Sequence, residues 1–323
     1  MTKDTTYIHP NFPRCPDTGK PILEISHSGL NSFNSCPRRW AFRKAIVSSD
    51  SFNDSSDASE VGSAFHDGLQ RYLATRQLED AIEALALSHP IELRNPEKAS
   101  QYSLEASVIT LEHVIANSEL ANYELARFNR DGKEVPAIEV PALVIIETPH
   151  LIFHLRQFID LVLYSVTSGK FLAVDIKTTT AQGARFFEAK YRWDWQVTSY
   201  GIPLAGLLGV EGDFDVGVLG VIQSDRDPGV IFPTYPRTRQ DVDEYGVWLL
   251  EAIGRMQAMW VAGQFPRNPS ACVSFNKVCH YHSLCGARDL QAMQMLVNPA
   301  GTLPSPEKQR PFDPIYVAKL EVN

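Results

Sequence analysis

The sequence predicts an α/β fold, a mixed central sheet flanked by helices, and three observations carry that prediction. Residues 151–180, LIFHLRQFIDLVLYSVTSGKFLAVDIKTTT, hold two β-rich apolar runs on either side of a Ser168-Gly169 turn signal, the pattern of paired strands. Upstream, GSAFHDGLQRYLATRQ sets Phe65, Leu69, Tyr72 and Leu73 at helical spacing. Downstream, residues 239–263 are amphipathic, with Val247, Leu250, Ile253, Met256 and Trp260 expected to face inward.

The remaining elements follow in order. Residues 1–25 are proline-rich and irregular. Ser26 or Ser28 then caps a helix carrying Leu30, Phe33 and Trp40, which Pro37 breaks or restarts. The polar stretch 48–59 reads as a loop, and the next helix opens near Ser59. Helices are expected in 77–87 and 97–128, strands at 137–147, 151–165 and 171–179, and a helix at 193–208. FDVGVLGVIQS is a further strand, and the tail after Pro299 reads as an arm. The expected boundaries are an N-terminal segment 1–25, a main domain 26–290 with a helical insertion at 75–130, and a tail 291–323.

Composition sets limits on function. At 323 residues and 44% hydrophobic content, the chain can bury one large core or a core with an appended subdomain. Apolar runs fall short of the roughly 20 residues that span a bilayer. The first residues, MTKDTTYIHP, lack an apolar signal core, so the expected location is cytoplasmic and no membrane partner is expected. A net charge of −8 is no nucleic-acid footprint, and any such binding must rest on local cations. Five cysteines in a reducing compartment read as metal chemistry or chance rather than a disulfide framework.

The chemistry concentrates in the hairpin. The two-residue period of a strand sets Asp175 and Lys177 on one face and Val174 and Ile176 on the other, with Asp160 on the neighbouring strand. Two acids on one sheet face call for a cation, and oxygen ligands of this type suit Mg²⁺ or Mn²⁺. A surface ion pair is the competing reading. Gly62 and His66 lie one helical turn apart, so a close approach at Gly62 brings the imidazole toward the sheet. Gln196 and Tyr200 share a helix face by their i,i+4 spacing. Arg38, Arg39, Arg43 and Lys44 form an acid-free basic run beside Trp40 and Phe42. Arg185, Lys190 and Arg192, with Trp193 and Trp195, extend a possible DNA track.

The succession SxLNxFxxCPRRW, GxxxH, a strand ending in IDLV, a strand ending in DIKT, QxxxY and a late cysteine group resembles the RecB-like branch of the PD-(D/E)XK nucleases. That branch includes the nuclease domains of RecB and AddB, CRISPR-associated RecB-like exonucleases and stand-alone viral relatives. The resemblance covers residues 26–286 and implies a DNA exonuclease acting on ends or single strands. It implies metal ligands at His66, Asp160, Asp175 and the Ile176 backbone carbonyl, with Lys177 orienting water or stabilising charge on the phosphate. Gln196 and Tyr200 would bind DNA and help seat Lys177. At 157–158, where relatives often carry Gly-Arg, this chain has Gln157 and Phe158.

By the same resemblance, Cys36, Cys272, Cys279 and Cys285 would hold a [4Fe–4S] cluster joining the two ends of the domain, within a cysteine segment at 265–286. Structural zinc, with His280 or His282 competing as ligands, is the alternative. The chain has no GxxxxGK[ST] motif, so duplex processing would need a helicase or recombination partner, or a frayed end. The second functional reading is an iron–sulfur DNA-binding or assembly subunit of a recombination or CRISPR-adaptation complex with weak or no nuclease activity.

Overall fold

The computed structural model describes residues 13–42, 57–94, 101–208, 214–274, 277–279, 281–286 and 312–321. Most of the expected 48–59 loop, Arg43, Lys44 and His280 lie outside the described residues.

In chain order, β1 (Ile22–Ile25) leads to α1 (His27–Ser35), whose N-cap Ser26 accepts from the Gly29 N–H. Pro37, at the first position of α2 (Pro37–Ala41), restarts the helix where its missing N–H costs nothing. Then come α3 (Asp57–Thr75), α4 (Leu78–Ser88) and α5 (Leu104–Asn117). The single helix expected over 97–128 does not form. Ser118 caps the end of α5, and the following residues make β2 (Tyr123–Leu125), β3 (Arg127–Arg130) and β4 (Lys133–Pro136). The β3–β4 turn is Asp131-Gly132, with φ of 51° and 80°, the left-handed pair that a two-residue hairpin requires.

The long strands β5 (Ile138–Glu147), β6 (Ile152–Ser165) and β7 (Phe171–Thr179) match the expected positions. They are followed by α6 (Ala181–Ala184), α7 (Phe187–Tyr191), α8 (Trp195–Ser199) and α9 (Gly201–Leu208). The helix expected at 193–208 is thus split at Tyr200, because Pro203 cannot donate back to the Ser199 carbonyl. The chain continues with β8 (Phe214–Ile222), β9 (Gly229–Ile231), β10 (Thr234–Arg237) and α10 (Arg239–Ala262). It ends with β11 (Val273–Ser274), β12 (Lys277–Val278) and β13 (Tyr316–Glu321).

Along α10, Ile253, Met256 and Trp260 are buried as expected, whereas Val247 is 71% and Leu250 37% exposed. The buried stripe runs through Tyr245, Leu249, Ala252, Ile253, Met256 and Trp260, a 3.6-residue period that puts Val247 on the far side.

The chain folds as two compact units, and β5 and β6 pass from one to the other. The first comprises Met1–Asp54, Ala142–Gln157 and Gly246–Asn323. In it β1 lies parallel to the start of β6, and β13, drawn from the expected tail, lies parallel to the end of β5.

The second unit, Ser55–Pro141 and Phe158–Tyr245, carries a mixed sheet in the order β10-β8-β7-β6. The β7–β8 pair is parallel and β6–β7 antiparallel, with Leu161 opposite Val174. Leu172, Val174 and Ile176 of β7 join Phe65, Leu69 and Leu73 of α3 and Leu111 and Val114 of α5 in one core. Two glycines let α3 come close: a Cβ at Gly62 would sit 3.0 Å from Thr178 Oγ1 on β7, and one at Gly68 would sit 2.9 Å from Leu85 Cβ on α4. The helix therefore presses on β7 one turn before His66. With the even-numbered β7 residues given to this core, Asp175 and Lys177 turn toward α8.

Candidate active site

All of the expected hairpin and helix residues of the site fall within the second unit. The described β6–β7 pairing stops at Leu161 and Val174, so Asp160 is one step beyond, opposite Asp175. There the Asp160 side chain takes over from the backbone ladder, and its Oδ2 accepts from the Ile176 N–H at 2.7 Å. The same peptide is held on its other side by His66, whose Nε2 lies 2.9 Å from the Ile176 carbonyl oxygen. A carbonyl only accepts, so Nε2 carries the imidazole proton. Burial first, then the Lys177 charge, hold the His66 pKa below its ordinary value, with Asp175 and Glu139 pulling the other way. Its Nδ1 lies 3.6 Å from Asp160 Oδ2.

A third acceptor joins them. Ligand atoms of His66, Glu139 and Asp160 all lie within 4.8 Å of one another, the one such group of three among the described residues. Glu139, the second residue of β5, has φ of 48°, a left-handed conformation that costs a non-glycine residue of order 1–3 kcal/mol. Its Oε1 is braced by Gln70 Nε2 at 2.8 Å, from a buried glutamine one turn after His66 on α3. An imidazole nitrogen and two carboxylates converge here, a donor set of mixed N/O character that could hold a metal ion.

Asp175, only 1% exposed, is held by three partners. Tyr200 Oη donates to its Oδ1 at 2.8 Å, Gln196 Nε2 donates to the same oxygen at 3.0 Å, and Lys177 Nζ lies 2.7 Å from Oδ2. Gln196 also reaches Tyr200 Oη at 3.1 Å. The Gln196–Tyr200 pair thus grips Asp175 directly and reaches Lys177 through it. Burial, reinforced by the Asp175 and Asp160 charges, raises the Tyr200 pKa well above normal, so the phenol stays a donor. Burial and the neighbouring Asp175 also raise the Asp160 pKa. Burial lowers that of Lys177, but the Asp175 and Asp160 charges outweigh it and the net shift is upward.

Asp194 and Glu139 are absent from the sequence reading. Asp194 caps α8 by accepting from the Gln196 N–H at 2.6 Å, and thereby orients the glutamine. Its i,i+2 relation to Gln196 before a helix was a legible cap signal. Glu139 had no such signal, since its place depends on a left-handed backbone that sequence does not display.

The four cysteines belong to the first unit. Cys36 precedes α2, the Cys279 N–H donates to the Cys272 carbonyl at 2.8 Å across the β11–β12 hairpin, and Cys285 follows in a short 3₁₀ turn. Burial first, then nearby Cys279, push the Cys285 thiol up; Arg38 opposes this, and Cys272 and Cys36 add to it. Even so, no three of these sulfurs lie within 4.8 Å of one another. Arg38 is committed to this unit: its Nε donates to the Phe265 carbonyl at 2.9 Å and its Nη1 to the Cys285 carbonyl at 2.7 Å. Arg39 donates to Ser35 Oγ at 3.1 Å. Trp195 packs against Tyr245, with ring centroids 6.0 Å apart.

Residues 24–286 match the family model of the PD-(D/E)XK nuclease superfamily, and the chain belongs to that superfamily. Among solved structures it is similar to a "putative exonuclease" from Eubacterium rectale, at 16% identity and a TM-score of 0.41, over 76% of this chain and 84% of that one. It is also similar to the protein SSO0001, at 13% identity and a TM-score of 0.30, over 76% and 78% of the two chains. No curated protein matches the chain. None of the described helices is long and apolar enough to cross a membrane.

The Glu139 geometry yields a test. Glu139→Ala should raise the Mn²⁺ dissociation constant measured by titration calorimetry by about 10- to 100-fold, the range seen when groups that tune a metal site are removed. An unchanged constant in a folded variant would remove Glu139 from the site.

Proposed function

We propose that this chain is a RecB-like, Mg²⁺- or Mn²⁺-dependent deoxyribonuclease that hydrolyses phosphodiesters at DNA ends or in single strands. The observation that carries the reading is the meeting of His66 Nδ1, Glu139 and Asp160 beside the Asp175–Lys177 ion pair, at the point where β6 leaves β7. His66, Asp160 and Glu139 would hold the cation, with Asp175 and the Ile176 carbonyl adjoining. A bound cation of this kind supplies Lewis-acid stabilisation of phosphoryl oxygens and an acidified water.

The protein's own groups do the rest. Asp175, fixed by Gln196 and Tyr200, sets the position of the Lys177 ammonium. Lys177 can then donate to a phosphate oxygen and offset the charge that grows there. Because β7 is locked from both sides, this geometry exists before substrate arrives and needs little reorganisation during reaction. In this reading, unwinding of a duplex is left to a helicase or recombination partner.

The same reading gives Cys36, Cys272, Cys279 and Cys285 a [4Fe–4S] cluster, with structural zinc as the alternative; that Cys285 feels the charges of the other three supports a shared site. A cluster here would tie Cys36 to the segment 265–286, which Arg38 already binds through the Phe265 and Cys285 carbonyls.

Two experiments test the reading. Lys177→Ala should reduce Mn²⁺-dependent digestion of end-labelled DNA by about 10²–10⁴-fold with cooperative unfolding preserved; near-wild-type turnover in the folded variant would refute the site. Anaerobically purified protein should be brown and contain iron and sulfide, with both lost in Cys36→Ala and Cys279→Ala alike. Colourless protein with stoichiometric zinc would refute the cluster.

A further inference from the structure

Between the strand that carries Asp175 and Lys177 and the helix that carries Gln196, the chain displays two large aromatic side chains to solvent, Phe186 at 68% and Trp193 at 69% exposure. Phe186 is the N-cap of α7 and Trp193 lies two residues past its last residue, Tyr191, with exposed Lys190 between them. Phe187 and Tyr191, both buried, have ring centroids 4.6 Å apart, and Lys190 Nζ lies 4.7 Å from the Tyr191 ring centre. The Phe187 ring fills the space above Gly220, where a Cβ would come within 2.6 Å of it. The segment is therefore anchored by one aromatic pair while it offers another outward. An apolar ring on a surface loses free energy unless something covers it.

The charges around the rings indicate what covers them. Arg185, Lys190 and Arg192 are exposed cations on this segment, against one exposed acid, Glu188, while Asp194 is occupied as the α8 cap. The Arg192 guanidinium carbon lies 5.7 Å, and that of Arg237 6.0 Å, from the Trp193 ring centre. Arg237 is 2% exposed and clamps the loop, donating to the Arg192 carbonyl at 2.6 Å, Thr198 Oγ1 at 2.9 Å and the Pro236 carbonyl at 3.1 Å. Trp193 is thus presented on a braced backbone, so little ordering entropy opposes binding.

We infer that Phe186, Lys190 and Trp193 form a ledge on which the unstacked bases of single-stranded DNA lie as the strand enters the metal site, with the cations on its phosphates. This deepens the proposed nuclease reading and rests on it for the identity of the ligand. Unpaired bases offer free ring faces, whereas bases in a duplex are already stacked on each other, so the ledge selects single strands or frayed ends. Asp194 and Tyr191 link the ledge to the centre, for Asp194 feels the Asp175, Lys177 and Lys190 charges and Lys177 feels Tyr191.

The test is equilibrium binding of the full chain to fluorescein-labelled 20-mers, single-stranded and blunt duplex, followed by anisotropy in EDTA so that no chemistry intervenes. Trp193→Ala and Phe186→Ala should each weaken single-strand binding by about 5-fold or more, with duplex binding changed less than twofold and Trp193→Phe restoring most of the loss. Lys190→Gln should instead weaken both substrates and lower the salt slope by about one unit. Equal losses on single strand and duplex for the aromatic variants, no loss at all, or failure of Trp193→Phe to restore binding would overturn the ledge. Failure of the nuclease reading would show separately, as absence of Mn²⁺-dependent cleavage by the wild-type chain.

Discussion

Asp160 and Asp175 face each other across adjacent antiparallel strands, one step past the Leu161–Val174 pair, and like charges at such positions repel. Asp175 is almost wholly buried, so its charge has little water to screen it. Much of the surrounding structure answers that constraint. Lys177 neutralises Asp175, Tyr200 and Gln196 donate to it, and the Ile176 N–H donates to Asp160. The other side of Asp160 faces His66 Nδ1 and Glu139, and these three groups could hold a metal ion.

The architecture that delivers these groups is local and inexpensive. Gly62 lets α3 approach Thr178, which fixes the height of His66 one turn later against the Ile176 carbonyl. Gln70, one turn further on, reaches Glu139. A single helix therefore presents an imidazole and a brace at i and i+4, while its other face fills the core with Phe65, Leu69 and Leu73. On the opposite flank, the short α8 is aimed by Asp194 so that Gln196 and Tyr200 converge on one carboxylate oxygen.

Features with a strong local period were legible in the sequence. The two-residue alternation of β6 and β7 placed Asp175 with Lys177, and the i,i+4 spacings of Gly62 with His66 and Gln196 with Tyr200 described real helical faces. Features decided by tertiary pairing were not. ELANYELAR is rich in helix formers, yet Tyr123–Leu125 pairs with Leu163–Ser165, and the Asp131-Gly132 turn signal just beyond was the clue to a hairpin. Val247 and Leu250 fit an apolar count but not the face that the neighbours left open. Glu139 escaped because its position needs a left-handed residue at the start of a strand. The two interleaved units were equally hidden, since no hydrophobic pattern announces that one strand serves two units. Arg38, read as a cation awaiting phosphate, holds two carbonyls of the cysteine segment.

The central claim is that Asp160, His66 and Glu139 together form a divalent-cation site. Anomalous diffraction from crystals soaked in Mn²⁺, recorded above the manganese edge, tests it most directly. The account predicts a peak within about 2–2.5 Å of His66 Nδ1 and an Asp160 oxygen, with Glu139 completing the set. A peak elsewhere in the molecule, or an ion that leaves His66 bound only to the Ile176 carbonyl, would contradict it.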